Sequence, residues 1–314
     1  MKADLDGGER PRVAVVGSFN MDLVFGAPRM PARGETVSGS AFGMFIGGKG
    51  ANQAVAAARA GARVDMIGRI GADSFGEDIA GALGAEGIGL KHVVRDPYEG
   101  TGVAGIVVEP DGANSIVVIP RANARVTEQD VRRGRGAIAA SHVLLLQLEV
   151  PLEACVAAAR VARNAGATVL LNPAPAQELP DVLLGLVDVI VPNESETLLL
   201  TGVPATTDEG AAEAAQLLRR RGVKVVLLTL GERGALLLDS EGQPKKVVPF
   251  SVEAADTTAA GDAFCGALAV ALAEGRPIAE AARFACAAGA LACTVLGAGP
   301  SLPTRSRIEE LLRR

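Results

Sequence analysis

The sequence predicts an α/β fold: a doubly wound, mostly parallel sheet with helices on both faces and a small β lid beside it. Three observations carry this. From Thr127 onward, near-continuous apolar strands alternate with amphipathic helices, the rhythm of a parallel sheet covered on both sides. The first apolar run, Val13 to Gly17, is short and ends at glycine, as a buried first strand does. A hairpin pattern interrupts the βα order: Val103 to Glu109, the turn Pro110-Asp111-Gly112, then Asn114 to Ile119. It belongs to a sheet outside the main layer. The whole is Rossmann-like.

The 314 residues suit one large domain. We place it over 12–314, with a flexible tail over 1–11 and a lid drawn from about 20–45 and 100–121. The formal net charge is −5, aromatics are 3% of the chain, and Tyr98 is the single tyrosine with no tryptophan. Neither a nucleic-acid surface nor a base-stacking platform fits that composition. Cys155, Cys265, Cys286 and Cys293 form no CxxC pair and read as small core residues of a reduced protein. Two histidines, His92 and His142, leave no His-rich metal site. The charged opening stretch is not a secretory signal. The longest apolar stretch, Phe284 to Pro300, is short for a membrane span and rich in Ala and Gly, so a buried helix and loop are expected. The expectation is a soluble cytoplasmic protein with no membrane partner.

Strand Val13–Gly17 delivers Asn20 and Asp22 to its carboxyl end, where open α/β sheets bind ligands. Two apart on an extended backbone, they face one side and could hold sugar hydroxyls, or could cap a turn. Gly43 to Gly50 matches GxxxxGK, but Gly50 stands where a P-loop needs Ser or Thr, and irregular Gly-rich sequence precedes it. Gly47 to Gly50 instead open a helix over 51–60, stopped by Gly61. Arg63–Gly68 reads as a strand. Ser74–Glu86 reads as a helix, capped by Ser74 with Glu77 completing a capping box. Gly100 to Gly105 satisfies GxGxxG, yet β-rich sequence follows, so the dinucleotide fingerprint is a decoy. The regular part then runs helix 127–140, strand 142–148, helix 151–166, strand 168–171, strand 187–191, helix 194–201, helix 208–221 and strand 223–230. Glu149, Asn172, Asn193, Glu196 and Thr229 to Gly234 collect at its strand ends. Singly each could be a cap or turn residue; together they define a crevice.

The chemistry is placed on Asp256 to Asp262, which leads into the Ala/Leu-rich helix from Ala263. A helix N-terminus offers unpaired N–H groups and positive partial charge to a phosphate, and small residues at 259–261 let it come close. A carboxylate at Asp262 repels an anion unless it takes a proton from an attacking hydroxyl. An ordinary helix start with Asp in its first turn would share the pattern.

The stretches Gly17 to Asp22, Gly47 to Ala56, Leu171 to Ala176, Pro192 to Glu196 and Asp256 to Asp262 resemble, in order, the ribokinase branch of the ribokinase/PfkB carbohydrate kinases. The resemblance runs from about Val13 to the C-terminus. It implies ATP-dependent phosphorylation of the 5-hydroxyl of ribose, with Asp262 as general base and an anion hole at Ala259, Ala260, Gly261 and Asp262. Asn20, Asp22, Gly48, Lys49, Gly50, Asn52 and Glu149 correspond to the sugar pocket. Asn193 and Glu196 match the motif organising Mg²⁺ and the phosphates. Thr229, Gly231, Gly234 and Gly261 match the nucleotide site. The family's potassium site falls on Asp256, Thr258, Ala292, Val295, Gly297 and Ser301. A homodimer through the β lid is implied, and the alternating Val/Ile residues of 103–119 would face either a partner or the chain's own site.

Three departures stand out. Ala259 replaces a frequent Gly, which predicts a negative φ there. Cys286 replaces a His or Asn beside the adenine. Arg121 replaces Gly and reads as a solvated rim charge. Against ribose stand the same reaction on 2-deoxyribose or a ketohexose, a nucleoside kinase (disfavoured by the few aromatics), a dinucleotide oxidoreductase (disfavoured by strand one), and a sugar-sensing pseudokinase (disfavoured by the intact Asp262).

Overall fold

A computed structural model describes residues 10–314. Its first part holds β1 (Arg12–Val16), β2 (Asn20–Gly26), β3 (Ala41–Gly47), α1 (Lys49–Arg59), β4 (Arg63–Gly71), α2 (Ser74–Ala85), β5 (Gly89–Asp96), β6 (Gly102–Val108) and β7 (Asn114–Ile119). A 3₁₀ turn at Arg121–Arg125 leads to α3 (Glu128–Arg133), α4 (Arg135–Ala139), β8 (Val143–Leu146), α5 (Leu152–Ala165), β9 (Thr168–Leu171) and α6 (Asp181–Leu184). Then come β10 (Val189–Ile190), α7 (Glu194–Thr201), α8 (Asp208–Arg220), β11 (Val225–Thr229), β12 (Ala235–Leu238) and β13 (Lys245–Val247). The chain closes with α9 (Ala260–Ala273), α10 (Ile278–Ala292), α11 (Ala298–Ser301) and α12 (Arg305–Leu312).

Nine strands form the main sheet in the order β13-β12-β11-β10-β9-β8-β1-β4-β5, parallel except at β11–β12 and β12–β13. β1 pairs with β4 on one side and β8 on the other. The chain therefore leaves β1 in opposite directions, and the crevice of a doubly wound sheet opens at the carboxyl ends of β1 and β8. Pleating sends Val13 and Val15 into the core under α1, α9 and α10, while Ala14 and Val16 enter the opposite core under α5 and α8. The expected fold class holds.

The central helix is α9, apolar all round and buried from Asp262 to Ala271. It lies so close to α1 that a Cβ on Gly266 would stand 2.5 Å from the Ala56 Cβ and 2.8 Å from the Ala57 nitrogen. That approach carries Asp262 to the amides of α1.

The second sheet has the order β3-β2-β6-β7. The 103–119 hairpin forms as expected, with Val103 opposite Ile119. Phe42, Met44 and Ile116 to Ile119 are exposed on it.

Several local expectations change. The stretch before Gly47 is a strand, β3, paired along β2. Asp73, not Ser74, caps α2, its carboxylate accepting from the Gly76 N–H at 2.9 Å. The helix expected over 127–140 breaks at Gly134, where the Ile67 side chain lies 2.5 Å from a would-be Cβ. β5, β12 and β13 are strands the pattern did not mark. Of the tail over 1–11, residues 1–9 lie outside the described residues; Arg10 donates to the Gly61 carbonyl, and the Pro11 carbonyl accepts from Arg63. Among the described residues no helix is long and apolar enough to cross a membrane.

Gly266→Val forces α9 off α1. It should lower stability by about 1–3 kcal/mol, read as a lower midpoint in urea unfolding; an unmoved midpoint would show the contact to be slack.

Candidate active site

The floor of the crevice is a glycine-dependent contact between the end of β1 and the start of α1. A Cβ on Gly50 would stand 2.4 Å from the Ser18 nitrogen, and Gly48, at φ 89°, would set one 2.8 Å from the Asn20 nitrogen. The Ser18 carbonyl accepts from Ala51 N–H at 3.0 Å. Only glycine permits both the approach and the left-handed φ. Two side chains reinforce the join: Glu149 accepts from the Ser18 hydroxyl and, at 2.9 Å, from the Lys49 N–H.

Asp262 lies above this floor in the first turn of α9 and is buried. One carboxylate oxygen accepts from Asn52 Nδ2 at 3.0 Å, the other from Gln53 Nε2 at 2.9 Å. Burial pushes its pKa up; the Lys49 ammonium and the two amides pull against that, and Glu149 adds to the rise. Burial also works against the Lys49 charge, yet Asp262, Glu149 and Glu196 outweigh it and raise the lysine above its usual value. Lys49 is the cation among these carboxylates.

The turn into α9 differs from expectation. Ala259 sits at φ 61°, in the left-handed region, not at negative φ. A non-glycine residue there costs about 1–2 kcal/mol, and the surrounding loop holds it in place. Asp256 accepts from the N–H and hydroxyl of Thr258 and from the Gly297 N–H at 2.8 Å, and the Cys293 carbonyl accepts from Ala255 and Asp256. Burial acts to raise the Asp256 pKa, but these hydrogen bonds prevail and lower it. Ala292 ends α10, Val295 and Gly297 follow it in the segment so joined, and Ser301, at the end of α11, donates to the Ala298 carbonyl at 2.8 Å. Among the described residues no group of three or more His, Cys, Asp or Glu side chains could hold a metal.

Asn20 and Asp22 lie on β2, facing one side as expected. The Asp22 carboxylate lies over Gly47, where a Cβ would meet it at 2.0 Å. Burial, with Glu149 and Asp262 nearby, pushes Asp22 up to about 7. Asn193 and Glu196 form a complete capping box at α7, each side chain accepting from the other's N–H, at 2.8 and 2.9 Å. Burial raises the Glu196 pKa against the Asn193 hydrogen bond and the charge of Lys49. The Thr229 N–H donates to the Pro192 carbonyl at 2.9 Å, which ties β11 to this box. Gly231 and Gly234 both have positive φ, and a Cβ on Gly234 would meet the Val247 carbonyl at 2.3 Å. Cys286 is buried on α10, its thiol pushed up to about 12 by burial. Asp22, Lys49, Glu149, Glu196 and Asp262 thus share one electrostatic neighbourhood; Thr229 to Gly234 form one turn, and Asp256 to Ala259 are joined through Asp256 to the segment after α10.

Arg121 is not a free rim charge. It is strapped by its guanidinium to the Thr101 carbonyl at 3.0 Å, near Asp73 at 3.8 Å, and holds φ 46°. This anchors the turn carrying Asn123, which sequence reasoning missed. Asn123 accepts from the Phe19 N–H at 2.9 Å and donates to the Phe19 carbonyl and to Asn20 Oδ1, at 3.0 and 2.8 Å. The Asn20 oxygen is thereby occupied, and the residue is buried. A buried cluster, Arg69 between Asp96 and Asp130 at 2.8 and 2.9 Å, fixes the same turn through Arg125.

A model of the pfkB family of carbohydrate kinases matches residues 10–305. The chain is 44% identical over 303 residues to a ribokinase of Haemophilus influenzae, covering 96% of this chain and 99% of that one. It is 37% identical over 301 residues to a deoxyribokinase of Salmonella typhi, covering 96% and 98%. The structure of Arabidopsis thaliana ribokinase complexed with ribose and ATP superposes with a TM-score of 0.89 at 35% identity, over 98% of this chain and 100% of that one.

An acid that binds its proton more tightly folded than unfolded makes stability fall as pH rises between the two pKa values. Through Asp22 the ligand-free protein therefore loses stability from about pH 4 to about pH 7. Asp22→Asn should remove that slope, melting above the parent at pH 8 but no higher at pH 4; an equal gap at both pH values would contradict the shift.

Proposed function

The chain belongs to the pfkB family of carbohydrate kinases, and from that premise we propose that it transfers the γ-phosphoryl group of ATP to the 5-hydroxyl of D-ribose, giving ribose 5-phosphate. One observation carries the reading: a buried carboxylate, Asp262, in the first turn of the central helix, held by two amides and faced by one ammonium. In this reading Asp262 takes the proton from the attacking hydroxyl. The N–H groups of Gly261 and Asp262, in the first turn of α9, would meet the transferring phosphoryl group, while the Ala260 N–H donates to the Thr257 carbonyl at 3.3 Å. Phosphoryl transfer needs chiefly positioning and charge neutralisation, which helix N-terminus and Lys49 supply together.

The sugar would lie among Asn20, Asp22, Gly48, Lys49, Gly50, Asn52 and Glu149. The amide nitrogen of Asn20 would donate, and Asp22 would accept or donate according to its proton. The nucleotide would lie along Thr229, Gly231, Gly234, Gly261 and Cys286. The carboxylate and amide of Glu196 and Asn193 suit a Mg²⁺ ion held through water; when bound it neutralises charge on the phosphates. The ionised Asp256, with Thr258, the carbonyls of Ala292, Val295 and Gly297, and Ser301, suits a hard monovalent cation such as K⁺. The four cysteines are free thiols, which supports a cytoplasmic setting. The small sheet serves as lid, and its exposed Phe42, Met44 and Ile116 to Ile119 support a homodimer formed through it.

2-Deoxyribose is the second reading, favoured by the 37% identity to a deoxyribokinase. A site that pairs with each ribose hydroxyl discriminates against its loss, because buried polar groups are left unpaired.

Release of ADP from Mg-ATP should be strong with ribose, weak with 2-deoxyribose, fructose or adenosine, and higher with potassium than with a large organic cation. Asp262→Asn should lose at least about 10³-fold in kcat while ATP still binds; near-normal turnover would remove Asp262 from the role of base. In sedimentation, the parent should run as a dimer and Ile116→Lys with Val118→Lys as a monomer; a monomeric parent would leave the lid face without that partner.

A further inference from the structure

Asp262 is held by two amides of unequal standing. Asn52 belongs to the proposed sugar pocket, so its remaining hydrogen-bonding capacity faces the substrate. Gln53, fully buried, faces away from it into a chain of amides. Gln53 Nε2 donates both to Asp262 Oδ1 at 2.9 Å and to Asn172 Oδ1 at 3.0 Å. Its oxygen accepts from Gln147 Nε2 at 2.5 Å, and Asn172 Nδ2 donates onward to the Val191 carbonyl at 3.0 Å. Every donor and acceptor of the Gln53 amide is engaged. Were it reversed, its oxygen would face those of Asp262 and Asn172, and its N–H groups would face that of Gln147. The far end of the chain shows what enforces the direction. Gln147 is fully buried, and its own oxygen has no hydrogen-bond partner, lying 2.3 Å from where a Cβ of Gly17 would stand. An orphaned buried acceptor is costly, and here it persists because the opposite orientation would set two amide oxygens against each other.

We propose that Gln53, oriented by Gln147, is a positioning residue for the base: it fixes the carboxylate plane of Asp262 through a hydrogen bond that the substrate does not share. The inference rests on the reading of Asp262 as base. The charged and titratable groups around that carboxylate are Lys49 on α1, Asp22 on β2, Glu149 after β8, Glu196 on α7 and Cys265 on α9 itself. Gln53 supplies the neutral donor that favours the ionised form among them. Removing it raises the pH at which the base becomes available.

The test is the pH dependence of kcat/KM for ribose in Gln53→Met, which keeps the length of the side chain and cannot donate. The acid limb should move up by about one pH unit, which lowers kcat/KM about tenfold well below the limb, while KM for ATP stays at the parent value. Gln147→Met, which touches neither Asp262 nor substrate, should move the limb the same way by less. A folded Gln53→Met enzyme with an unmoved limb overturns the proposal; if that variant does not fold, an unmoved limb in Gln147→Met does so. Full turnover in Asp262→Asn would instead sink the underlying reading, so the two failures are distinguishable.

Discussion

The site is arranged around one carboxylate removed from water, Asp262. Desolvation drives Asp262 toward its neutral form, and two amides with one ammonium hold it back. None of the three belongs to its own helix: Lys49, Asn52 and Gln53 all come from the first turns of α1. The geometry of α1 against β1 and α9 therefore sets the surroundings of Asp262. The contacts that set it, Gly50 on Ser18 and Gly266 on Ala56 and Ala57, are backbone-close and tolerate no side chain.

Charge balance extends beyond Asp262. Three acidic groups, Asp262, Glu149 and Glu196, act on Lys49, and Asp22, raised first by burial, is pushed further by Glu149 and Asp262. Such a site is poised for positively charged or hydrogen-donating occupants.

Much of this was legible because short motifs keep their local meaning. Asp262 after a run of small residues, Asn193 with Glu196 and the Gly47 to Gly50 opening all read correctly as helix starts. The sign of φ at Ala259 did not, because it is set by what pins the loop on either side, above all Asp256 bound to Gly297, 41 residues on. Alanine alone prefers the other region. Arg121 looked like a surface charge because its partners, Thr101 and Asp73, are distant in sequence. Gln53 lay in full view beside Asn52, yet neighbouring helix positions diverge by about 100°, and only the placement of Asp262 brings both amides to one carboxylate. The break at Gly134 likewise depends on Ile67 from another element.

The hydrogen bond from Asn52 to Asp262 joins residues 210 apart. During synthesis α1 leaves the ribosome early, with Ala51, Ala54 and Ala57 forming an apolar face. The helix that covers it, α9, ends only at Ala273. Before α9 emerges, α1 packs only on early elements such as β1 and β4, and Asp262 is not yet present to accept from Asn52 and Gln53. A chain lacking α9 leaves the apolar face of α1 without its main helical cover, so closing that face and bringing Asp262 to Asn52 and Gln53 depend on the same late element.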